Sequence, residues 1–536
     1  MRYSCSWPHN STWEPTVIFD FRKIDQKEII ADLCIIGAGA AGITLAREFD
    51  ELGVRVCLLE SGGLQYEPEI QALNEGVDIG FQEGSTVGSS GLRYFGGSTN
   101  HWVGHCAPYN PMDFESRPWV PHSGWPIAKE DLDPYYQTAQ SLFDLGPNQY
   151  ELTKIPEMKS GIPAFDPTKI SAKVWQMSST RFGIKFRKDL EQAKNISVYL
   201  YAHVTELVTN KENSKVGSVK IRTLDGKNGN VRARYFVLAC GGIENARMLL
   251  LSNGASPNGI GNQHDLVGRF YMDHLRVHYA ATAHVVDDHL FDGVIDYFSA
   301  GGVQYKPLLC PTDRTQRDAE TLNWCVQIAK IPPMQNEGLD AADEIYNDLL
   351  EGEWPDEFSR KAWAVVSDLS SVARGLYRRY KPRSLHFLAR CENAPNYDSR
   401  ITLTTERDAH GQNKAQRNWL VTTREKDTIR SAMRLMGEEI GRLSLGRVKL
   451  ANWLLEDDNF WPDYLYGGGI HHVGTTRMAS DPKNGVVDKN CRVHTTENLF
   501  IAGSSVFATS GYTHPTLTVG AVSLRLADHL KFILKL

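Results

Sequence analysis

Apolar residues fall along this chain in two textures, continuous and alternating. Residues 32–36, DLCII, form a continuous run closed by Gly37, which predicts a buried strand. Residues 41–52 follow with Ile43, Leu45, Ala46 and Phe49 as an apolar side, predicting a helix; VRVCLL at 54–59 predicts a second strand ending at Glu60. Strand, helix and strand within about 30 residues make a βαβ unit. YFVLAC at 235–240 and NLFIAGSS at 498–505 repeat the buried-strand texture, the second leading into a helix over 516–530. Residues 196–207 and 217–223 alternate as strands do. Residues 276–286 and 399–405 alternate in a way that predicts an antiparallel sheet, with helical stretches near 340–380. Between the two textures lies a long glycine-rich stretch, 61–115, of the kind that is usually functional.

The continuous texture at both ends and the alternating texture between them predict an α/β chain with an insertion. Residues 30–115, 190–275 and 465–536 form a discontinuous dinucleotide-binding domain, and 116–189 and 276–464 an inserted α+β substrate-binding domain built on an antiparallel sheet. A length of 536 residues exceeds what a single core usually supports. The formal net charge of −6 argues against a nucleic-acid partner, which calls for a basic stripe. Nine cysteines, an odd number without CxxC spacing, argue against a disulfide framework and favour a reducing, cytoplasmic setting; Cys34, Cys57 and Cys240 lie in predicted buried strands. The first fifteen residues lack the apolar core of a secretory signal, and no run is long enough to span a membrane.

Gly37-Ala-Gly39-Ala-Ala-Gly42 is GxGxxG between strand and helix. The first glycine permits a tight turn, the second close approach of a pyrophosphate, and the third helix–strand packing; the helix N-terminus offers unpaired N–H groups. Glu60, eighteen residues beyond Gly42, stands where a carboxylate meets the adenosine ribose. The motif with its strands and acid predicts a dinucleotide but does not separate FAD from NAD.

Further blocks narrow the choice. Gly96-Gly97-Ser98-Thr99-Asn100-His101-Trp102, Ala239-Cys-Gly-Gly-Ile-Glu-Asn245, Gly268-Arg-Phe-Tyr-Met-Asp273-His274 and Pro395-Asn-Tyr-Asp-Ser-Arg-Ile401 precede a C-terminal block running from His471-His-Val-Gly-Thr-Thr-Arg-Met478 to His514-Pro515-Thr516. In order and spacing, over about residues 30 to 530, the chain resembles the glucose–methanol–choline (GMC) oxidoreductases, nearest in motif to the pyranose-oxidase-like and bacterial glycoside oxidoreductase branch. The resemblance implies a Rossmann-like FAD-binding domain and FAD as cofactor. It implies that Gly97, Asn100, His101, Gly503, Pro515 and Thr516 border FAD and that the backbone of Val204 meets adenine. His101 falls where some members tether FAD covalently; the alternative is a histidine that only packs against the flavin. Ala502 replaces an acid that many members use on the ribityl chain, and His514 stands where pyranose oxidases have asparagine. Asp273 and His274 are assigned to the fold near the domain interface.

Oxidising an alcohol removes a hydride from carbon and a proton from oxygen, so a base must take the hydroxyl proton as hydride leaves for flavin N5. Histidine, with a pKa near 6.5, suits that task, and a second polar group should hold the same oxygen. By the resemblance His471 and His514 occupy the two catalytic positions, His471 assigned as base and His514 as hydroxyl-binding partner, with exchanged roles open. His472 should point elsewhere, since neighbours in an extended segment face opposite ways. Pro515 suits a helix start, and the positive end of that helix would stabilise reduced flavin. No metal is expected: a zinc site from His471, His472 and His494 lacks ligand spacing. The expected reaction is oxidation of a secondary hydroxyl of a pyranose sugar or glycoside to the ketone, with oxygen or a quinone as electron acceptor. The alternatives are an FAD dehydrogenase acting on a steroid or polyol with a quinone or protein acceptor, and a non-redox flavin-binding lyase.

Overall fold

Two sheets of opposite kind organise the computed structural model, which describes residues 18–536 apart from 82–85, 90, 157–159, 331–336, 351–353, 368, 371, 374–383 and 463–469. The expectation drawn from the first fifteen residues and part of the stretch 340–380 lie outside the described residues; within that stretch the helices are Glu337–Leu350 and Phe358–Ser367. The first sheet is parallel throughout. Its six strands run in the order Ile18–Asp20, Ile196–Leu200, Val56–Leu59, Leu33–Ile36, Tyr235–Leu238 and Leu499–Ile501. Its central strands are buried on both faces, which is why their sequences read as unbroken apolar runs. The C-terminal helix Thr516–Leu534 packs against the first helix and against Asp133–Leu142, where the Tyr136 and Thr518 hydroxyls lie 2.9 Å apart.

Two expected elements are shorter than their apolar patterns suggested. The first helix spans Ala40–Arg47 instead of 41–52, because Glu51 and Gly53 adopt φ of +61° and +71° and turn the chain toward the next strand. Phe49 still reaches the core from this turn. The stretch 196–207 is two strands, not one: Tyr201, at φ +57°, breaks it into Ile196–Leu200 in the parallel sheet and His203–Thr209 in a small separate sheet.

The second large sheet is antiparallel and follows the order Gly446–Leu450, Leu275–Val285, Ser384–Cys391, Trp324–Lys330, Val303–Pro311, Ile170–Met177 and His105–Cys106. Side chains alternate between its faces. One face is apolar: Val277, Val326 and Ala389 pack with Ile429, Met433 and Met436 of the helix Thr423–Arg442. That helix starts on a capping box, in which the Thr422 side chain accepts the Arg424 N–H at 3.2 Å and Glu425 reaches back to the Thr422 N–H at 2.9 Å. The other face carries histidines and cations. The segment 116–189 contributes to both cores, since Trp125, Tyr136 and Phe143 join the parallel-sheet core while Ile170 and Val174 join the antiparallel one. Among the described residues, no helix is long and apolar enough to cross a membrane.

Candidate active site

The three fingerprint glycines sit in three different surroundings. Gly37 has φ +106°, and a Cβ there would lie 2.6 Å from the Ala239 carbonyl oxygen. A Cβ on Gly42 would fall 1.9 Å from the Gly37 carbonyl oxygen, so the first helix seats against the turn only without a side chain. A Cβ on Gly39 would meet nothing within 4 Å, which leaves open space at the helix N-terminus. Glu60, at the end of the second strand, is buried and accepts the N–H of Ala38 at 3.0 Å and of Gly62 at 2.9 Å. Burial raises its pKa above the ordinary carboxylate value, partly offset by those N–H groups. Beside it opens a cleft of about 270 Å³ whose walls include Ser61, Tyr201 and His203; it contains none of the clustered histidines described below. Val204 follows His203 as a buried strand residue.

The loop before Trp102 lies on the fingerprint turn. Gly96 N–H donates to the Ala38 carbonyl at 2.8 Å, and Gly97, at φ +56°, would place a Cβ 3.0 Å from Gly39 Cα. Asn100 donates its side-chain N–H to the Phe95 carbonyl at 2.8 Å, which shapes its own loop. His101 is exposed, its ring edge-on to Tyr94. Gly503, at φ +115°, follows the last parallel strand; Asn245 ties the adjoining turn by donating to Ser505 Oγ at 2.9 Å. Pro515 has helical φ and ψ, its carbonyl accepts the Val519 N–H at 2.8 Å, and Thr516 opens the C-terminal helix.

His471 and His514 meet edge to face, with ring centroids 4.6 Å apart. Burial holds both well below the ordinary histidine pKa, so both are neutral. Their hydrogen bonds fix their tautomers. His274 is buried and its pKa is pushed down to about 3 by burial. Its Nε2 lies 2.9 Å from the Ser510 carbonyl, which only accepts, so Nε2 carries the proton and Nδ1 is bare. His274 Nδ1 lies 3.1 Å from His471 Nδ1, so His471 donates there and its own Nε2 keeps a lone pair. On the other side, Arg390 donates to His514 Nε2 at 3.0 Å. The proton of His514 therefore sits on Nδ1, which is buried and has no partner among the described residues. The pair thus presents one acceptor and one donor.

His472 turns away: its Nδ1 lies 2.5 Å from the Tyr271 hydroxyl. His494 bonds the Ala479 carbonyl, so His471, His472 and His494 do not converge. Asp273, His274 and His471 do hold ligand-type atoms within 4.8 Å of one another. Those atoms are already engaged, because Asp273 accepts the His471 backbone N–H at 3.0 Å and the two histidines bond each other.

Three further residues shape the pair and escaped the sequence reading: Arg390, His105 and Trp175. His105 lies 4.9 Å and Trp175 4.6 Å, ring to ring, from His514. His274, assigned to the fold alone, touches His471 directly. Arg390 and Trp175 belong to strands outside the motif blocks, and single polar residues in an alternating strand carry no signal of their own.

The "GMC oxidoreductase" family model matches residues 395–523. The chain is 23% identical over 601 residues to the fructose dehydrogenase large subunit of Gluconobacter japonicus, covering 94% of this chain and 98% of that one. It is 23% identical over 580 residues to 2-methyl-1,2-propanediol dehydrogenase of Mycolicibacterium austroafricanum, covering 93% and 95%. In fold it is similar to a formate oxidase crystal structure, with a TM-score of 0.54 at 17% identity, covering 95% and 99%. Residues 395–523 therefore match the GMC oxidoreductases, and the chain is an FAD-dependent oxidoreductase acting on alcohol groups.

Proposed function

We propose that the protein oxidises a secondary hydroxyl of a pyranose sugar or glycoside to the ketone, with His471 as base and His514 as the donor that holds the reacting oxygen. The observation that carries this reading is the pair of fixed tautomers. His471 Nε2 has a lone pair for the hydroxyl proton, and His514 Nδ1–H points an unused donor at the developing alkoxide. Arg390 and the Ser510–His274 chain act one step back, keeping each ring in its tautomer.

The residues present fit FAD. Gly39 leaves room for close approach at the helix N-terminus, Glu60 stands at the strand end beside the cleft, and Thr516 opens a second helix next to His514. FAD, when bound, supplies the acceptor for the hydride. The 94% coverage of a fructose dehydrogenase subunit supports a sugar, and the eight described cysteines, all free thiols, support a reducing, cytoplasmic setting. His101 is tested by acid precipitation: flavin that stays with the pellet and is released by His101→Ala marks a covalent bond.

Anaerobic mixing with a panel of monosaccharides and glycosides tests the main reading. Bleaching of the flavin band with a keto-sugar product by NMR is expected; bleaching only with simple diols or steroids would overturn the sugar assignment. A second reading, dehydrogenase turnover with a quinone or protein acceptor, draws support from the names of both relatives. Rapid reoxidation of the reduced enzyme by oxygen would rule against it.

A further inference from the structure

The polar face of the antiparallel sheet carries cations that, among the described residues, make no direct ion pair with a carboxylate. Arg276 and Arg390 are direct cross-strand partners on Leu275–Val285 and Ser384–Cys391. Like charges opposite one another destabilise a sheet, and a buried charge without a counter-ion is more costly still. Arg390 is 5% exposed, and the Nε atoms of both arginines are buried without a hydrogen-bond partner. Among the described residues no carboxylate lies within 4 Å of either guanidinium. A third cation, Lys306, stands in register with Trp175; its ammonium donates to the Ile295 carbonyl, lies 4.9 Å from the Tyr297 ring centroid and, among the described residues, has no carboxylate within 4 Å, Asp296 favouring its charge from farther off. All three charges are felt at His105, whose ring touches His514.

Three other buried arginines pair with carboxylates, while Arg477 donates to the His122 carbonyl and lies over the Phe270 ring. Arg117 meets Glu392 at 2.6 Å, Arg247 meets Asp408 at 2.6 Å, and Arg417 meets Asp78 at 2.6 Å. The Arg276–Arg390 pair differs in setting two guanidinium groups side by side, and Arg390, 5.0 Å from the Trp175 ring centroid, also bonds the proposed hydroxyl-holding histidine. A molecule whose hydroxyl rests between His471 and His514 has the guanidinium of Arg390 at the other, Nε2 edge of the His514 ring, with Arg276 next in line across the strands.

We propose that the substrate is an anionic alcohol, carrying a carboxylate or phosphate that Arg276 and Arg390 bind while its hydroxyl faces the histidine pair. Guanidinium groups suit both oxyanions because their forked N–H donors match two oxygens at once. Tyr297, 41% exposed and 3.0 Å from His105 Nε2, marks the solvent side of this wall. The inference rests on the proposed roles of His471 and His514, and its test separates the two.

Calorimetric titration of the flavin-loaded protein compares methyl β-D-glucuronide and glucose 6-phosphate with the neutral methyl β-D-glucoside. At least one anion is expected to bind about tenfold or more tighter than the glucoside, and whichever does so identifies carboxylate or phosphate. Arg276→Gln should erase that preference and Arg276→Lys restore part of it. If Arg276→Gln fails to fold, salt does the same work on the native protein: raising it from about 0.05 to 0.5 M should weaken anion binding several-fold and leave the glucoside alone. Equal affinities for anions and glucoside, or a preference that survives Arg276→Gln, overturn the inference. Arg276-dependent anion binding without flavin bleaching leaves the anion site standing and removes the oxidation reading. Bleaching by the glucoside with no anion preference does the reverse.

Discussion

The parallel and antiparallel sheets put polar chemistry in different places. In the parallel sheet the strands are apolar on both faces, and recognition is left to their ends: glycines, backbone N–H groups and the single carboxylate of Glu60. In the antiparallel sheet one face packs on a helix, and the other carries Arg276, Arg390, Trp175 and, at the edge strand, His105. Backbone-end recognition suits a cofactor of fixed shape. Side-chain recognition on a sheet face is free to vary, one alternate residue at a time, without disturbing the packed face behind it. The difference teaches where specificity can change in this molecule.

The sharpest way to break the first half of that contrast is Gly42→Val. Its Cβ would overlap the Gly37 carbonyl, so purified protein should carry no FAD by absorbance. Retained flavin would show that the turn yields and that the fingerprint is not what holds the cofactor. His471→Ala attacks the other half and should cost about 10²- to 10⁴-fold in kcat while flavin content stays normal. A loss of only a few-fold would move the base elsewhere. Arg390→Met should act through His514, lowering kcat about 10- to 100-fold, with Arg390→Lys recovering part of it; an unchanged pH–rate profile in the Met variant would argue against tautomer control.

Stability should respond to acid chiefly through the histidine-bearing face. His105 and His274 have folded pKa values pushed down to about 3 by burial, against 6.5 when unfolded. Between those values the unfolded chain binds protons that the native protein does not, so stability rises with pH and falls as pH drops below 6.5. Each group should cost about 2 kcal/mol near pH 5, read from denaturant midpoints, and His105→Phe should flatten the slope. The smallest effect belongs to the apolar face: Thr422→Ala removes a helix cap and should lower stability by about 1 kcal/mol with turnover unchanged.

The same contrast explains what was legible in the sequence. The turn at Gly37, Gly39 and Gly42 restricts residue type so severely that the residues announce it. His471 and His514 were found only through their motif blocks, and nothing in their spacing distinguishes a base; the proposed assignment of His471 draws on the partners Ser510, His274 and Arg390. Arg276 and Arg390 carry no signal in the sequence, because only strand pairing places them opposite each other. Tyr201 misled for a local reason, since an aromatic residue in an alternating run gives no sign of the positive φ that divides two strands.

The Ser510–His274–His471 chain has a consequence for how the cycle must run. A peptide carbonyl cannot carry a proton onward, so the chain is closed at its inner end. With His471 as the proposed base, a proton gained at its Nε2 has no inward drain and leaves only by the side through which substrate entered. Departure of the ketone and discharge of that proton therefore share one doorway, and whatever obstructs the first also keeps the base loaded.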